Sequence, residues 1–380
     1  MKPILKIFLI PFLLLFNRCV TEFIPQTNDN KKLLVVEGLI TDQPAANTIK
    51  LSESQPLGLR NIANPVTGSF VTISDDLGNT FRLTETTAGL YVTDSANFRG
   101  VIGRFYTLHI KTNSAHNNLS YESNPMEMIA VPAIDSVYHE KITLASNYGI
   151  PSQEGCQINI NTHDPTNLCK FYRWEYIETW EFMLPYEVPP LQHKVCWISS
   201  NSNVINIKST SVLEEDRISG YPLTFISNST DRLRVKYSIL VKQYSLNEDE
   251  FLYWDKIHTI GERVGGLYDI IPSSVPSNIY CLDNPDEKVL GYFSVSSTTS
   301  KRHFIKDSFA GIYTPYTDNA CISDTILGDD PIPDLNNFVW LIIDHPLPPP
   351  QYRVITRFHG CYDCSLRGTT VEPDFWNDDK

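Results

Sequence analysis

From Leu33 onward, apolar and polar positions alternate with the two-residue period of β-strands. LLVVEGLI is a near-continuous apolar run ending at Thr41-Asp42, and TIKLS alternates after it. GSFVTIS alternates into the turn cluster Asp75-Asp76-Leu77-Gly78-Asn79, and TFRL resumes beyond it, which predicts a β-hairpin. GLYVT and RFYTLHIKT come next. In the latter, Tyr106, Leu108 and Ile110 share one face, and Phe105, Thr107 and His109 share the other. Short strands with turns at this spacing predict an N-terminal β-sandwich of immunoglobulin or prealbumin type over residues 33–130. The proline-bearing segment MIAVPAID, 128–135, links this sandwich to a second region.

That second region, 131–380, also reads as β. In FYRWEYIETWEF, 171–182, Tyr172, Trp174, Tyr176, Trp180 and Phe182 share one face, with Arg173, Glu175, Thr179 and Glu181 on the other. RLRVKYSILVKQYSL, 232–246, is a second long alternation, and VLGYFSVSS, HFIK and FVWLII read as further strands. One segment has helical spacing. Asn247 can cap it, Glu250 is placed as a capping-box partner, and Phe251, Trp254, Ile257 and His258 recur on one side. This predicts a helix near 247–262. The expected fold class is mainly β: an N-terminal sandwich, then a larger sandwich-type domain with one inserted helix and a cysteine-containing tail.

The start of the chain breaks the β pattern. Lys2 and Lys6 precede an apolar run from Ile7 to Phe16, about ten residues long, which matches the core of a secretory signal peptide. A spanning helix needs about 20. Cys19 stands directly after this segment. The order predicts a signal peptide, 1–18, cleaved before a cysteine whose thiol and new amine carry acyl chains. Arg18 departs from the small residues such signals prefer before the cysteine. Residues 19–32 then form the lipid anchor and a polar tether.

At 42% hydrophobic and 20% charged, the 380 residues are those of a globular protein. The formal charge is −13, and removing Lys2, Lys6 and Arg18 with the leader brings it to −16. A body this acidic is not drawn to nucleic acid or anionic lipid, so any hold on a membrane falls to the anchor. The other seven cysteines, Cys156, Cys169, Cys196, Cys281, Cys321, Cys361 and Cys364, all lie after residue 150. In an oxidising compartment disulfides are the default, and an odd number leaves one thiol over.

His359-Gly-Cys361-x-x-Cys364 is the tightest cluster of reactive side chains. A zinc site would need two more ligands, a c-type haem would need histidine where Ser365 stands, and a thioredoxin-like site would need a βαβ context. Structural disulfides are the expected use. Cys281, Cys321, Cys361 and Cys364 allow two bridges in three pairings, which would pin the tail to the second domain. No cofactor or metal is expected, and no catalytic constellation is legible. Glu175 and Glu181 lie about 20 Å apart along one strand, too far for a glycosidase pair. The aromatic face of 171–182 is either a sugar-stacking platform or a sandwich core, and the core is favoured.

Several short motifs occur in a recognisable order. They are Leu34-Val-Val-Glu-Gly-Leu-Ile-Thr-Asp42, Gly89-Leu-Tyr91, Ile134-Asp-Ser136, Tyr253-Trp-Asp-Lys-Ile257, and Pro285-Asp-Glu-Lys-Val-Leu-Gly-Tyr-Phe-Ser-Val-Ser296. Lys301-Arg-His-Phe-Ile305, Cys361-Tyr-Asp-Cys364, Arg367-Gly368 and Pro373-Asp-Phe-Trp376 complete the series. Together they resemble the DUF4249 family of Bacteroidota lipoproteins, over about residues 33–376. The resemblance implies an outer-membrane lipoprotein, on the periplasmic or cell-surface face, often encoded beside TonB-dependent receptors. The resulting expectation is a non-catalytic accessory or substrate-capturing partner of an outer-membrane β-barrel transporter. The rivals are an extracytoplasmic enzyme acting on glycans or peptides in a cleft between the domains, and an envelope assembly or adhesion factor.

Overall fold

The computed structural model describes residues 32–55, 64–145, 151–184, 194–263, 275, 277–306, 308–312, 323–327, 330, 340–345, 352–356 and 363–378. The leader, Cys19 and the start of the tether lie outside these, as do Cys321 and Cys361. The chain is mainly β, with one α-helix, Glu248–Arg263, among the described residues.

Two sheets form the first sandwich. One runs Val289–Ser296, Leu34–Thr41, Thr48–Glu53, Leu90–Val92, Thr84–Thr87, with Asn64–Pro65 added on Thr48–Glu53. The other runs Ile279–Cys281, Ser120–Ser123, Phe105–Lys111, Phe70–Asp75, Thr80–Arg82, with Met126–Glu127 added on Phe105–Lys111. The expected hairpin is present. Asp75 Oδ1 accepts from the Leu77 and Asn79 amides, and Gly78, at φ +83°, donates to the Asp75 carbonyl. Tyr106, Leu108 and Ile110 point inward as the alternation requires. They join Val36, Ile40, Ile49, Leu51 and Ile73 in one core.

Ile279, Cys281, Val289, Phe293 and Val295 belong to that same core. Residues 33–130 therefore do not build the first sandwich alone, and the contiguous division expected at residue 130 is corrected. Val289–Ser296 lies parallel to Leu34–Thr41, pairing Leu34 with Val289 through Thr41 with Ser296. A parallel neighbour needs a long crossover, and here most of the second unit is that crossover. Alternation marks Val289–Ser296 as a strand but carries no information about its partner. Gly291 makes the pairing close. It sits at φ +87°, and a Cβ there would come within 2.0 Å of the Val36 carbonyl oxygen.

The second core lies between two further sheets. Ile134–Leu144, Gln153–His163 and Arg217–Ser227 form one. Val195–Asn201, Phe171–Met183, Tyr237–Leu246 and Thr298–Ile305 form the other, with Asn206–Ser209 added on Phe171–Met183. Tyr172, Trp174 and Tyr176 are buried here with Ile158, Ile160, Ile239 and Val241, so the aromatic face of 171–182 is core. Each fully buried side chain of this size contributes roughly 1.5–3 kcal/mol. The opposite face of that strand is not solvated, because Arg173 and Thr179 are buried as well. A third, three-stranded sheet joins Ser323–Leu327, Tyr352–Thr356 and Trp340–His345.

Candidate functional site

The covered polar face of Phe171–Met183 points to the site. Arg173 projects from this strand toward the helix and is flanked by two rings. Its guanidinium carbon lies 4.7 Å from the Tyr244 ring centre and 4.5 Å from that of Trp254. Two π-systems thereby contact the cation, an attractive arrangement that strengthens on desolvation. One edge is tied down too. Arg173 Nη1 donates to Glu175 Oε1 at 2.7 Å, and the Tyr244 hydroxyl donates to Glu175 Oε2 at 3.0 Å. Burial and the Glu175 carboxylate raise the pKa of Tyr244, keeping it a donor.

The helix supplies the second group. Asn247 caps it as expected, its Oδ1 accepting from the Glu250 amide at 2.8 Å. The Glu250 carboxyl turns into the protein and is fully buried. Trp254 Nε1 donates to its Oε1 at 3.3 Å, while Oε2 has no partner in hydrogen-bonding geometry. Burial pushes this carboxyl up to about 7, offset in part by the nearby Ser294 hydroxyl, the Arg173 charge and the Trp254 indole. Arg173 Nε and the Tyr292 hydroxyl are also buried without partners. Native interiors leave few such groups unmatched, and Arg173 and Tyr292 line one common feature.

That feature is a cleft along the seam between the two units. Its first lobe, of about 310 Å³, is lined by Glu37 and Lys50 of the first sandwich, Arg173, and Tyr253, Trp254 and Tyr292. A second lobe of about 360 Å³ is lined by Gln43, Lys242, Tyr244 and Thr298–Ser300. Leu39 and Thr48 line both lobes. The floor is the outward face of Leu34–Thr41 and Thr48–Glu53, the same strands whose inward residues build the first core. Lys50 Nζ reaches Glu37 at 3.3 Å across this floor. These volumes suit small ligands.

A family model described as a domain of unknown function, DUF4249, matches residues 20–302. The chain belongs to the DUF4249 family. The match includes every element lining the cleft, from Leu34–Thr41 to Thr298–Ser300. No curated protein matches the chain.

The cysteines of this DUF4249 protein are used differently from the expected quartet. Cys364 is bonded to Cys196, in a different strand of the second unit. Cys156, Cys169 and Cys281 are free and buried. Burial pushes the thiols of Cys156 and Cys169 up to about 12, far from reactive thiolates. The Cys281-containing pairings are thus corrected. In sequence nothing distinguished Cys196, because bridge geometry depends on which strands the fold makes neighbours. The bridge does pin the tail to the second unit. Thr369 exchanges backbone hydrogen bonds with Trp197 at 2.9 Å, and Trp376 is buried against Lys236, whose Nζ bonds the Trp376 carbonyl.

Glu175 and Glu181 are separate in space as well as along the strand: Glu175 holds Arg173, whereas Glu181 accepts from Trp376 Nε1 at 3.4 Å. Elsewhere, His139 and His303 meet between sheets at 2.8 Å, Nδ1 to Nε2, with His303 lowered by burial and by His139 to about 4. Among the described residues no group of three or more His, Cys, Asp or Glu is arranged to hold a metal ion. No described helix is long and apolar enough to cross a membrane. Sequence reading placed Arg173 on a polar face and Glu250 in a capping box. The signal for the site was the Tyr253-Trp254 pair one turn after Glu250.

Proposed function

We propose that this DUF4249 protein is a lipid-anchored binding protein of the outer membrane that captures a small ligand for a β-barrel transporter. The leader, Cys19 and the polar tether support the anchor. The acidic body supports it too, since such a surface gains nothing from anionic lipid. The transporter partnership rests on the family resemblance. The observation that carries the capture role is the seam cleft, with Arg173 held against Tyr244 and Trp254. A guanidinium held by two rings and a carboxylate keeps its orientation without a ligand, which lowers the ordering cost of binding.

Two measurements test this reading. Membrane fractionation of the full chain and of Cys19→Ser should show the variant released with its fold intact. Mild-detergent purification of a tagged full chain should recover an outer-membrane β-barrel. Retention of Cys19→Ser in membranes without any barrel partner would overturn the anchor, and recovery of no barrel would overturn the partnership.

A further inference from the structure

We infer that the seam cleft is a site for a short, neutral oligosaccharide. This rests on the capture role and names its ligand class.

Four observations converge on it. First, the floor offers side chains and not backbone. Leu34–Thr41 is paired on one edge with Val289–Ser296 and on the other with Thr48–Glu53. A peptide cannot add to it as a further strand, which is the usual route to peptide affinity on a sheet.

Second, the charges in the first lobe are already matched. Lys50 is paired with Glu37, and Arg173 with Glu175. A neutral polar ligand leaves both pairs intact.

Third, the unmatched atoms ask for a group that both gives and takes a hydrogen bond. Arg173 Nε is a donor, and the Tyr292 hydroxyl is a donor or an acceptor. Arg173 and Tyr292 are each more than nine-tenths buried and line the cleft. A sugar hydroxyl accepts from one and donates to another with a single oxygen.

Fourth, the walls combine rings with hydroxyls and amides. Tyr253 and Trp254 remain partly exposed beside the first lobe, and such rings match the apolar C–H faces of sugars. The second lobe is lined by Gln43, Lys242, Tyr244, Thr298, Thr299 and Ser300. The two lobes share Leu39 and Thr48 as lining, which places room for linked rings side by side.

The full chain, purified in mild detergent, would be titrated with three panels while intrinsic tryptophan fluorescence and heat are recorded. These are neutral di- to pentasaccharides, uronate-containing oligosaccharides, and tri- to pentapeptides. Saturable binding confined to the neutral panel is expected. Thr48→Trp fills the wall shared by the lobes from an exposed position and should weaken that binding about tenfold or more with an unchanged melting temperature. Trp254→Ala should weaken it as well. Binding only of peptides, only of uronates, or of nothing in the panels would overturn the inference. So would neutral saccharide binding that ignores Thr48→Trp. Barrel co-purification and Cys19-dependent fractionation do not depend on the ligand, so they separate failure of this inference from failure of the capture role.

Discussion

The guanidinium of Arg173 lies 4.5 Å from the centre of the Trp254 ring, joining a strand of the second unit to the helix that covers the first. Arg173 also carries the Glu175 ion pair and stacks on Tyr244. Its replacement by methionine keeps the stem but removes every polar contact. Arg173→Met should lower unfolding stability by about 1–3 kcal/mol, discounted because Glu175 is partly solvated. Urea denaturation followed by tryptophan fluorescence checks this, and an unchanged midpoint would show that the clamp contributes nothing.

Gly291 is the point where the returning strand meets the first sandwich. An added Cβ collides with backbone of Val36, which cannot swing aside as a flexible side chain can. Gly291→Ala should therefore cost about 2 kcal/mol or more, through both the contact and the positive φ. Gly78→Ala makes a control. Its Cβ meets nothing within 4 Å, so it should cost only the backbone strain. Equal losses for the two would argue against a close parallel seam.

The Cys196–Cys364 bond closes a long loop and fastens the tail. Cys364→Ser should cost about 2–5 kcal/mol and expose 363–378 to protease while the two cores persist. Limited proteolysis with mass spectrometry reads this. A tail equally resistant in the variant would mean that Trp376 and Lys236 hold it unaided.

Glu250 imposes a pH dependence of definite sign. Its folded pKa, about 7, is above the ordinary value of 4.5, so its contribution is fully present below pH 4.5 and lost as pH rises through 7. The loss amounts to at most about 3 kcal/mol by linkage. Glu250→Gln should flatten the stability profile between pH 5 and about 8. A profile as steep as that of the parent chain would be inconsistent with a desolvated carboxyl.

His303 acts in the opposite sense. Its folded pKa, about 4, is below the ordinary value of 6.5, so stability is full above 6.5 and falls as pH drops toward 4. His303→Gln should make thermal melts less dependent on pH between 4.5 and 7, and a dependence as steep as that of the parent chain would count against this.

Local elements were legible because they arise from local chemistry. The Asp75–Asn79 turn, the Asn247 cap and the inward set Tyr106, Leu108 and Ile110 each depend on residues a few positions apart. The aromatic face of 171–182 was likewise legible as core. The cleft was not. Arg173 reads as an outward residue of an alternating strand, and only its neighbours Tyr244 and Trp254 make it an inward one.

By itself, the amino-acid sequence determined the β character, the helix near 247–262 with its cap, the acidic surface and the expectation of an exported, anchored chain. It also carried the motifs of the DUF4249 family. Tertiary structure alone decided which strands became neighbours. It set Val289–Ser296 beside Leu34–Thr41, joined Cys196 to Cys364, and closed the cleft around Arg173 and Tyr292. Periodicity records which face of a strand is apolar, whereas partner choice is settled by shape and contact between segments far apart in the chain.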